Sequence, residues 1–391
     1  MTRSCFGAAA IYIAALILAI SGCQNEPGDV GLSFISPNDT TGVKYLDSVT
    51  DSLTVTSVTY EKAINTYGAT FFFVGKYEQF ESKSALKFVN IPADYDSATE
   101  LSASINLRAG DVVFQNKTGV TAFSVYRILT SINLATVTID SITSSTVGTT
   151  PLGSYSGVVP DTQFISVSID NQTVKDWLEY AADTSYAQKN YGIMLQPSSA
   201  STTIRGFYSF NNQTANLPYL SVVLTKNGET DTIKIIAPET VSLSDAQSAN
   251  LPPERMLVQN GIAYRTSMMY DLSKLPSNVI INNARVELHL DSKASYVSES
   301  GSRTLVFGLI NDTSGFGDTL FTNAFPLDSV TYSVSVNQIF QNWNSGFLPN
   351  LGLSIKGSFE LQNLDRFVFF SNAVADTTLR PRLKIYYTLR N

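Results

Sequence analysis

Hydrophobic and polar residues alternate in short runs along most of this chain. Clear examples are residues 52–58, 70–74, 101–107, 164–169, 220–224, 231–236 and 383–387. Successive side chains of a strand point to opposite faces, so alternation in β-branched sequence predicts half-buried strands. Turn residues separate the runs at the spacing typical of β-sandwiches. Helical periodicity is confined to 172–182 and 337–343. The pattern predicts an all-β protein with two short helices.

An internal repeat surrounds these two helices. An alternating strand, a helix with a tryptophan, an Asn-x-Gly-hydrophobic strand, an aromatic-Ser strand and a closing Pro-x-Leu strand occur twice in this order. The only tryptophans, Trp177 and Trp343, occupy the same place in each copy. Residues 84–107 and 267–290 extend the match upstream. Self-similarity of this kind predicts two homologous domains in tandem, 46–226 and 231–391, joined at 226–230.

The N-terminus has the pattern of an export signal. A short start with Arg3 precedes residues 5–20, which are almost wholly apolar or small. This run is shorter than the roughly 20 apolar residues of a membrane-spanning helix. The following Ile-Ser-Gly-Cys resembles a bacterial lipobox. The resemblance implies cleavage after residue 22 and acyl chains on Cys23, which together anchor a protein stably. Polar residues with Pro and Gly then predict a flexible tether over 23–45.

The second copy of the repeat resembles a known family. Its motifs are Asp-Leu-Ser-x-Leu-Pro at 271–276, a tryptophan helix, Asn-x-Gly at 350–352, and Arg-Pro-x-Leu-x-Ile-x-Tyr at 380–387. This order is similar to the DNRLRE domain, a jelly-roll β-sandwich related to carbohydrate-binding modules. The first copy matches at its end, but it has Val-Asn-Ile-Pro at 89–92 and a longer middle at 138–157. The segment 27–45 resembles the start of Bacteroidota surface lipoproteins. The resemblance implies two tandem jelly-roll β-sandwiches, each with one short helix.

Charge and cysteine content exclude several classes of function. The formal net charge is −7 and no Lys/Arg cluster occurs, so nucleic acid is not an expected partner. The only cysteines are Cys5, inside the predicted signal, and Cys23. The exported chain would therefore have no disulfide and no thiol nucleophile. Gln24 after Cys23, in place of Asp, favours delivery to the outer membrane by the rules of enteric bacteria. We expect a cell-envelope protein whose membrane partner is reached through the lipid.

Candidate catalytic groups are few. The single histidine, His289, alternates with apolar residues and shares a predicted solvent face with Arg285 and Glu287. No nucleophile-elbow motif accompanies it, and the Cys and His ligands of a zinc site are missing. Two carboxylate pairs lie in turn-like sequence, Asp94 with Asp96 and Asp312 with Asp318. Such pairs could hydrolyse a glycoside or bind Ca²⁺ if they converged, although no loop has an EF-hand pattern. No cofactor is predicted.

Aromatic residues provide the other candidates. Trp177 and Trp343 each follow an apolar residue by three positions on a helix, which predicts core packing rather than a sugar platform. Tyr60, Tyr67 and Tyr296, interpreted as exposed loop aromatics, are the predicted glycan contacts. We therefore expect a non-enzymatic surface module that binds a polysaccharide or serves adhesion or structure. The alternatives are a polysaccharide hydrolase with a carboxylate pair, and a spacer that holds an envelope protein partner.

Overall fold

The computed structural model describes residues 42–61, 64–78, 80–209, 214–245, 251–261, 264–277, 279–298, 302–312 and 318–389. Cys23, the predicted signal peptide and most of the predicted tether lie outside these residues. Among the described residues, no helix is long and apolar enough to cross a membrane.

The described chain is built from β-strands and two short helices. The strands of the first half are β1 Val43–Asp47, β2 Val55–Glu61, β3 Phe71–Tyr77, β4 Phe80–Lys87, β5 Thr99–Phe114, β6 Val120–Arg127, β7 Gly153–Val158, β8 Phe164–Ser168, β9 Ile193–Pro197, β10 Ile204–Tyr208 and β11 Tyr219–Lys226. Those of the second half are β12 Glu229–Ile236, β13 Glu239–Asp245, β14 Arg255–Gln259, β15 Tyr264–Tyr270, β16 Ile280–His289, β17 Leu305–Ile310, β18 Asp318–Pro326, β19 Thr331–Ser335, β20 Leu353–Gly357, β21 Arg366–Phe370 and β22 Arg382–Thr388. The helices are α1 Asn171–Ala182 and α2 Asn337–Asn344.

Two curled antiparallel sheets form two β-sandwiches. One sheet has the order β12-β11-β5-β10-β3-β4-β9-β6-β7, with β13 paired to β4 and β8 to β5. The other has the order β1-β22-β16-β19-β18-β17-β20-β15-β14-β21, with β2 paired to β15. The first sandwich is therefore β3–β13 with α1, and the second is β1, β2 and β14–β22 with α2. The prediction of two all-β, jelly-roll-like sandwiches with one short helix each is confirmed.

Strand pairing does not follow the ends of the predicted ranges 46–226 and 231–391. β1 pairs with β22, and β2 pairs with β15, so the start of the chain completes the second sandwich. β12 and β13 pair with β11 and β4 of the first sandwich. The segment 226–230, predicted to join two domains, instead forms the β11–β12 hairpin. Its turn residues Asn227 and Gly228 have φ of 53° and 83°, as a tight two-residue hairpin requires.

The two sandwiches are therefore related by a circular permutation. Val43 at the start of β1 lies opposite Thr388 at the end of β22. In the first sandwich the corresponding strands are joined directly by the Asn-Gly hairpin. The first sandwich is continuous in sequence, whereas the second is interrupted by it. Because β1 begins at Val43, the predicted tether leads into the second sandwich.

The Asn-x-Gly motif has the same structural role in both copies. The Asn190 side-chain amide donates a hydrogen bond to the Phe88 carbonyl at 3.0 Å, and that of Asn350 donates to the Tyr270 carbonyl at 2.9 Å. The glycine two residues later has φ of 98° in one copy and 100° in the other, a left-handed conformation that favours glycine. The motif thus fixes the entry of β9 and β20 into their sheets.

Each sandwich has its own core, and a third apolar cluster joins them. Trp177 is 1 % exposed and Trp343 is 7 % exposed, so the core interpretation of both tryptophans is confirmed. Phe73, Phe80 and Phe114 of the first sandwich share the joining cluster with residues of the second, including Leu257 and Val368. Packing of these aromatic and aliphatic side chains holds the two sandwiches together.

Candidate functional site: the open face of the second sandwich

Equivalent outer faces of the two sandwiches differ in what covers them. In the first, Ala85 on β4 and Met194 on β9 point outward and are fully buried. Above them lies a capping segment, residues 129–147, whose apolar side chains include Leu134 and Val147. Asn65 holds this segment by donating from its side-chain amide to the Leu134 carbonyl at 3.0 Å. Residues 138–147 of the longer middle noted in the first repeat therefore belong to a segment that covers a sheet face.

Within the residues that the structure describes, no corresponding segment lies over the face of the second sandwich. At the positions of Ala85 and Met194 it has Ser267 on β15 and Ser354 on β20. We call the outward side of β2, β15, β20, β17 and β18 the open face. Five neighbouring strands cover roughly 19 Å from β2 to β18 at the usual strand spacing.

The open face carries exposed aromatic and apolar residues at its two ends. Phe321 on β18 is 56 % exposed, and its ring lies over Gly308, where a Cβ atom would come within 3.0 Å of it. Tyr60 on β2 is half-buried, and Val58 beside it is 60 % exposed. Between these ends the strands contribute mostly small and polar side chains, among them Ser267, together with Met269 on β15, which is 44 % exposed. The result is a surface with apolar ends and a mostly polar middle.

Two ion pairs lie on the polar middle of the open face. Arg265 donates from Nε to Glu360 Oε1 at 2.8 Å and from Nη2 to Oε2 at 2.6 Å. Lys356 Nζ lies 3.1 Å from Asp318 Oδ2 and 4.5 Å from the centre of the Phe321 ring. Each cation is therefore matched by one carboxylate, and bidentate Arg–carboxylate geometry is rigid.

The pKa of the Arg265 guanidinium depends on its burial and on the charged and ionisable groups around it. Burial lowers the pKa of its guanidinium, but Glu360, Asp318 and Tyr60 raise it by more, so the net shift is upward. Arg265 therefore stays charged, and its carboxylate partners balance it. A face with balanced charge attracts neither polyanions nor polycations strongly.

The predicted tyrosine contacts occupy three separate settings. Tyr60 lies on the open face, opposite Arg265 in the β2–β15 ladder. Tyr67 is 43 % exposed in a turn of the first sandwich, next to Asn65 and the capping segment. Tyr296 is half-buried between the sandwiches, where its hydroxyl donates to the Val113 carbonyl at 2.9 Å. The structure therefore does not bring the three together as one platform.

The predicted carboxylate pairs have other contacts. Asp96 lies 3.5 Å from Lys226 Nζ, and the backbone carbonyl of Asp94 accepts a hydrogen bond from the same amine. Asp318 accepts from Lys356 and Ser354, whereas Asp312 is exposed. No group of three or more His, Cys, Asp or Glu suited to a metal ion occurs in the described part of the chain.

His289 lies on the outward face of β16, as predicted. It alternates with buried Leu288 and Leu290 and shares the half-buried outer side with Arg285 and Glu287. Glu287 in turn pairs with Lys384 of β22 at 2.8 Å. His289 thus belongs to a polar sheet surface and not to a cleft.

Sequence reasoning missed most of the open face. Arg265 and Glu360 are 95 positions apart, and no local pattern relates them. The single usable signal was in β18, where Phe321 and Phe325 alternate with inward residues and are 56 % and 59 % exposed. Two large aromatics on the polar side of a strand are typical of an interaction surface.

Comparison of the chain with protein-family models, with curated proteins and with solved structures found no match in any of the three searches.

Proposed function

We propose that this protein is a non-enzymatic, lipid-anchored envelope protein that binds a neutral polysaccharide on the open face of its second sandwich. The observation that carries the proposal is the contrast between the equivalent outer faces of the two sandwiches. The first is sealed by the capping segment, and the second carries exposed Phe321 beside a charge-balanced polar surface. Rigid hydrogen-bonding groups next to an exposed ring match the hydroxyls and the C–H faces of a sugar.

The charge pattern favours a neutral ligand. Arg265 and Lys356 are each neutralised by a carboxylate on the same face. A polyanion would have to displace these pairs, and breaking a largely buried pair is costly. Arg265 is itself only 5 % exposed, but it fixes the carboxylate of the partly exposed Glu360, and Asp318 fixes the partly exposed Lys356. The orientation of these two groups is therefore set before a ligand arrives, which reduces the entropy lost on binding.

Anchoring through Cys23 would give this face a defined position. The segment after Cys23 leads to β1, and β1 belongs to the second sandwich. The sandwich with the open face would therefore be the one nearest the membrane, and the first sandwich would lie beyond it. An outer-membrane location is part of the same proposal.

Affinity electrophoresis in gels that contain a soluble polysaccharide tests the proposal. Xylan, mannan, cellulose derivatives and starch serve as probes, with a gel lacking polysaccharide as reference. We expect at least one probe to retard the full chain and Phe321→Ala to remove that retardation. Val158→Ala is the matched control, since Val158 is 50 % exposed on the corresponding strand β7 of the first sandwich.

Two outcomes would contradict the proposal. One is equal migration of the full chain in the presence and absence of every probe. The other is retardation that Phe321→Ala and Tyr60→Ala both leave unchanged, because binding would then lie elsewhere on the molecule.

A further inference from the structure

A cleft lies between the two sandwiches, separate from the middle of the open face. Its volume is about 310 Å³, near the lower end of the range for small-molecule sites. Phe71 and Asp111 of the first sandwich form one side of it. Phe359, Gln362 and Asn363 of the second sandwich, all in the loop between β20 and β21, are on the other.

The described residues that line the cleft are mostly polar and include two aromatic rings. Phe359 is 43 % exposed and Phe71 is half-buried, so both offer ring surface. Asp111 is exposed, and Ser298, Ser302 and the two amide side chains complete the polar part. Among the described residues, no Lys or Arg lines the cleft. Such a site suits a ligand that donates hydrogen bonds and carries no negative charge.

A buried polar network supports the second-sandwich side of the cleft. Asp365 is 1 % exposed, and its Oδ1 accepts hydrogen bonds from the backbone and hydroxyl of Ser298, each at 2.8 Å. Asn260 is also 1 % exposed and donates from its side-chain amide to Asn363 Oδ1 at 2.6 Å. Both Ser298 and Asn363 line the cleft, so the lining is held in place from behind.

The same network has acceptors without donors. Asp365 Oδ2 and Asn260 Oδ1 are buried and have no hydrogen-bond partner among the described residues. A buried acceptor without a donor is destabilising, because it gives up its hydrogen bonds to water on folding. These two acceptors lie behind the lining. The acceptors that a ligand can reach are the exposed Asp111 carboxylate and the side-chain carbonyl of exposed Gln362, which favour a ligand with hydrogen-bond donors.

We propose that this cleft binds one end of a neutral sugar chain, with both sandwiches contributing to the site. The proposal rests on the proposed function and adds a second subsite to it. The loop that contains Phe359 also contains Glu360, whose carboxylate holds Arg265 on the open face. One loop therefore borders both surfaces, and the cleft would give the protein a preference for chain ends that a flat face lacks.

Calorimetric titration of the full chain with short and long ligands tests the cleft. The probes are cellohexaose, xylohexaose, mannohexaose and maltohexaose, each beside its parent polysaccharide. We expect Phe359→Ala and Gln362→Ala to weaken hexasaccharide binding at least tenfold. Phe359→Tyr should retain it. Leu361→Ala is the matched control, because Leu361 lies in the same loop at 37 % exposure and does not line the cleft.

The outcomes separate the two proposals. If Phe359→Ala and Gln362→Ala bind every probe like the wild type while Phe321→Ala loses polysaccharide, the cleft proposal fails and the proposed function stands. If the wild type binds no probe, both fail. A stabilisation by CaCl₂ that Asp111→Asn removes, without any sugar binding, would assign the cleft to a cation and overturn the proposal.

Discussion

Asp47 on β1 and Arg382 on β22 form an ion pair that ties the beginning of the described chain to its end. Asp47 Oδ2 accepts from Arg382 Nε at 2.8 Å and lies 2.6 Å from Nη2. The same oxygen accepts from the Tyr45 hydroxyl at 2.7 Å, and Oδ1 accepts from the Val49 amide at 3.0 Å. Asp47 is fully buried. The pair therefore holds β1 in the sheet of the second sandwich, although β1 precedes the first sandwich in the chain.

Replacing Asp47 by Ala should destabilise the second sandwich by about 2 kcal/mol. The variant leaves Tyr45 and Val49 without their acceptor, and Arg382 loses its partner but can be hydrated because it is partly exposed. Urea unfolding followed through Trp343, in a Trp177→Phe background, measures the effect. Glu239→Ala on β13 of the first sandwich is the control, followed through Trp177 in a Trp343→Phe background, since its pair with Lys87 is 3.8 Å long and exposed, and such pairs contribute little. Equal shifts of the two midpoints from those of the parent proteins would refute this account of β1.

The contributions of Asp47 and Asp365 to the free energy of unfolding should change with pH in opposite directions. Burial acts to raise the pKa of Asp47, but the hydrogen bonds from Arg382 and Tyr45 outweigh burial and bring it from 3.8 to about 2. A carboxylate with a lowered folded-state pKa stabilises the fold above its unfolded value and loses that stabilisation as pH falls through the folded value. We therefore expect the contribution of Asp47 to disappear between about pH 4 and pH 2.

The carboxyl of Asp365 behaves in the other sense. Burial raises its pKa, against smaller lowering effects of the Ser298 hydrogen bonds and of Arg303. A raised folded-state pKa means stability that is complete below 3.8 and is lost as pH rises through the folded value. Asp365→Asn removes the titration, so its stability should decrease less than that of the wild type as pH rises from 3.8. Thermal unfolding across this pH range measures it, and parallel curves would contradict the expectation.

The circular permutation predicts that an N-terminal truncation unfolds the second sandwich and leaves the first one folded. A chain that starts at residue 64 retains every strand of the first sandwich and lacks β1 and β2 of the second. We expect Trp177 to keep the blue emission of a buried indole and Trp343 to shift to the red, each measured with the other tryptophan replaced by Phe. A chain that starts at residue 42 is the control and should retain both signals. Cooperative unfolding of Trp343 in the shorter chain would show that β1 and β2 are dispensable.

Alternation and repeat similarity predicted the elements, the helices and the burial of both tryptophans. Strands and helices depend mainly on the pattern of hydrophobic and polar side chains within a few residues, and this pattern can be read from one sequence. The assignment of β1 and β2 to the second sandwich was not predictable, because either sandwich offers antiparallel edges to an alternating strand. The position of the Asn-Gly hairpin at 227–228 was the available signal, since a two-residue turn must join paired strands.

The candidate site was predictable only in part. Tyr60 was predicted as an exposed loop aromatic, whereas it is half-buried in strand β2, on the outward side of that strand. Tyr296 has the same local appearance, yet its ring packs 5.3 Å from Phe114 between the sandwiches. Contacts between segments far apart in the sequence determine which tyrosine is accessible. Such a contact also brings Glu360 to Arg265. A single sequence contains no local trace of either contact.

Gly192→Ala should cost more stability than Gly228→Ala. Both glycines have positive φ, 98° and 83°, so the backbone strain of an alanine is similar, on the order of 1 kcal/mol. A Cβ on Gly192 would come within 2.3 Å of the Leu86 carbonyl oxygen, whereas one on Gly228 meets nothing within 4 Å. We expect Gly192→Ala to lose roughly 2 kcal/mol more in urea unfolding of the first sandwich. Equal losses would mean that the β4–β9 approach tolerates a methyl group.

Sugar binding should leave the tryptophan emission unchanged. Trp177 packs on Phe88 with ring centres 5.6 Å apart, and Trp343 packs on Phe340 at 4.8 Å, both inside sandwich cores. A polysaccharide on the open face or in the cleft would contact neither indole, and acrylamide should quench both weakly with or without ligand. Titration of a polysaccharide that retards the chain in gels, with emission recorded at each step, measures this. A ligand-dependent spectral shift that Trp343→Phe abolishes and Trp177→Phe preserves would instead place the ligand at α2, and it would contradict a site built on Phe321 and Tyr60.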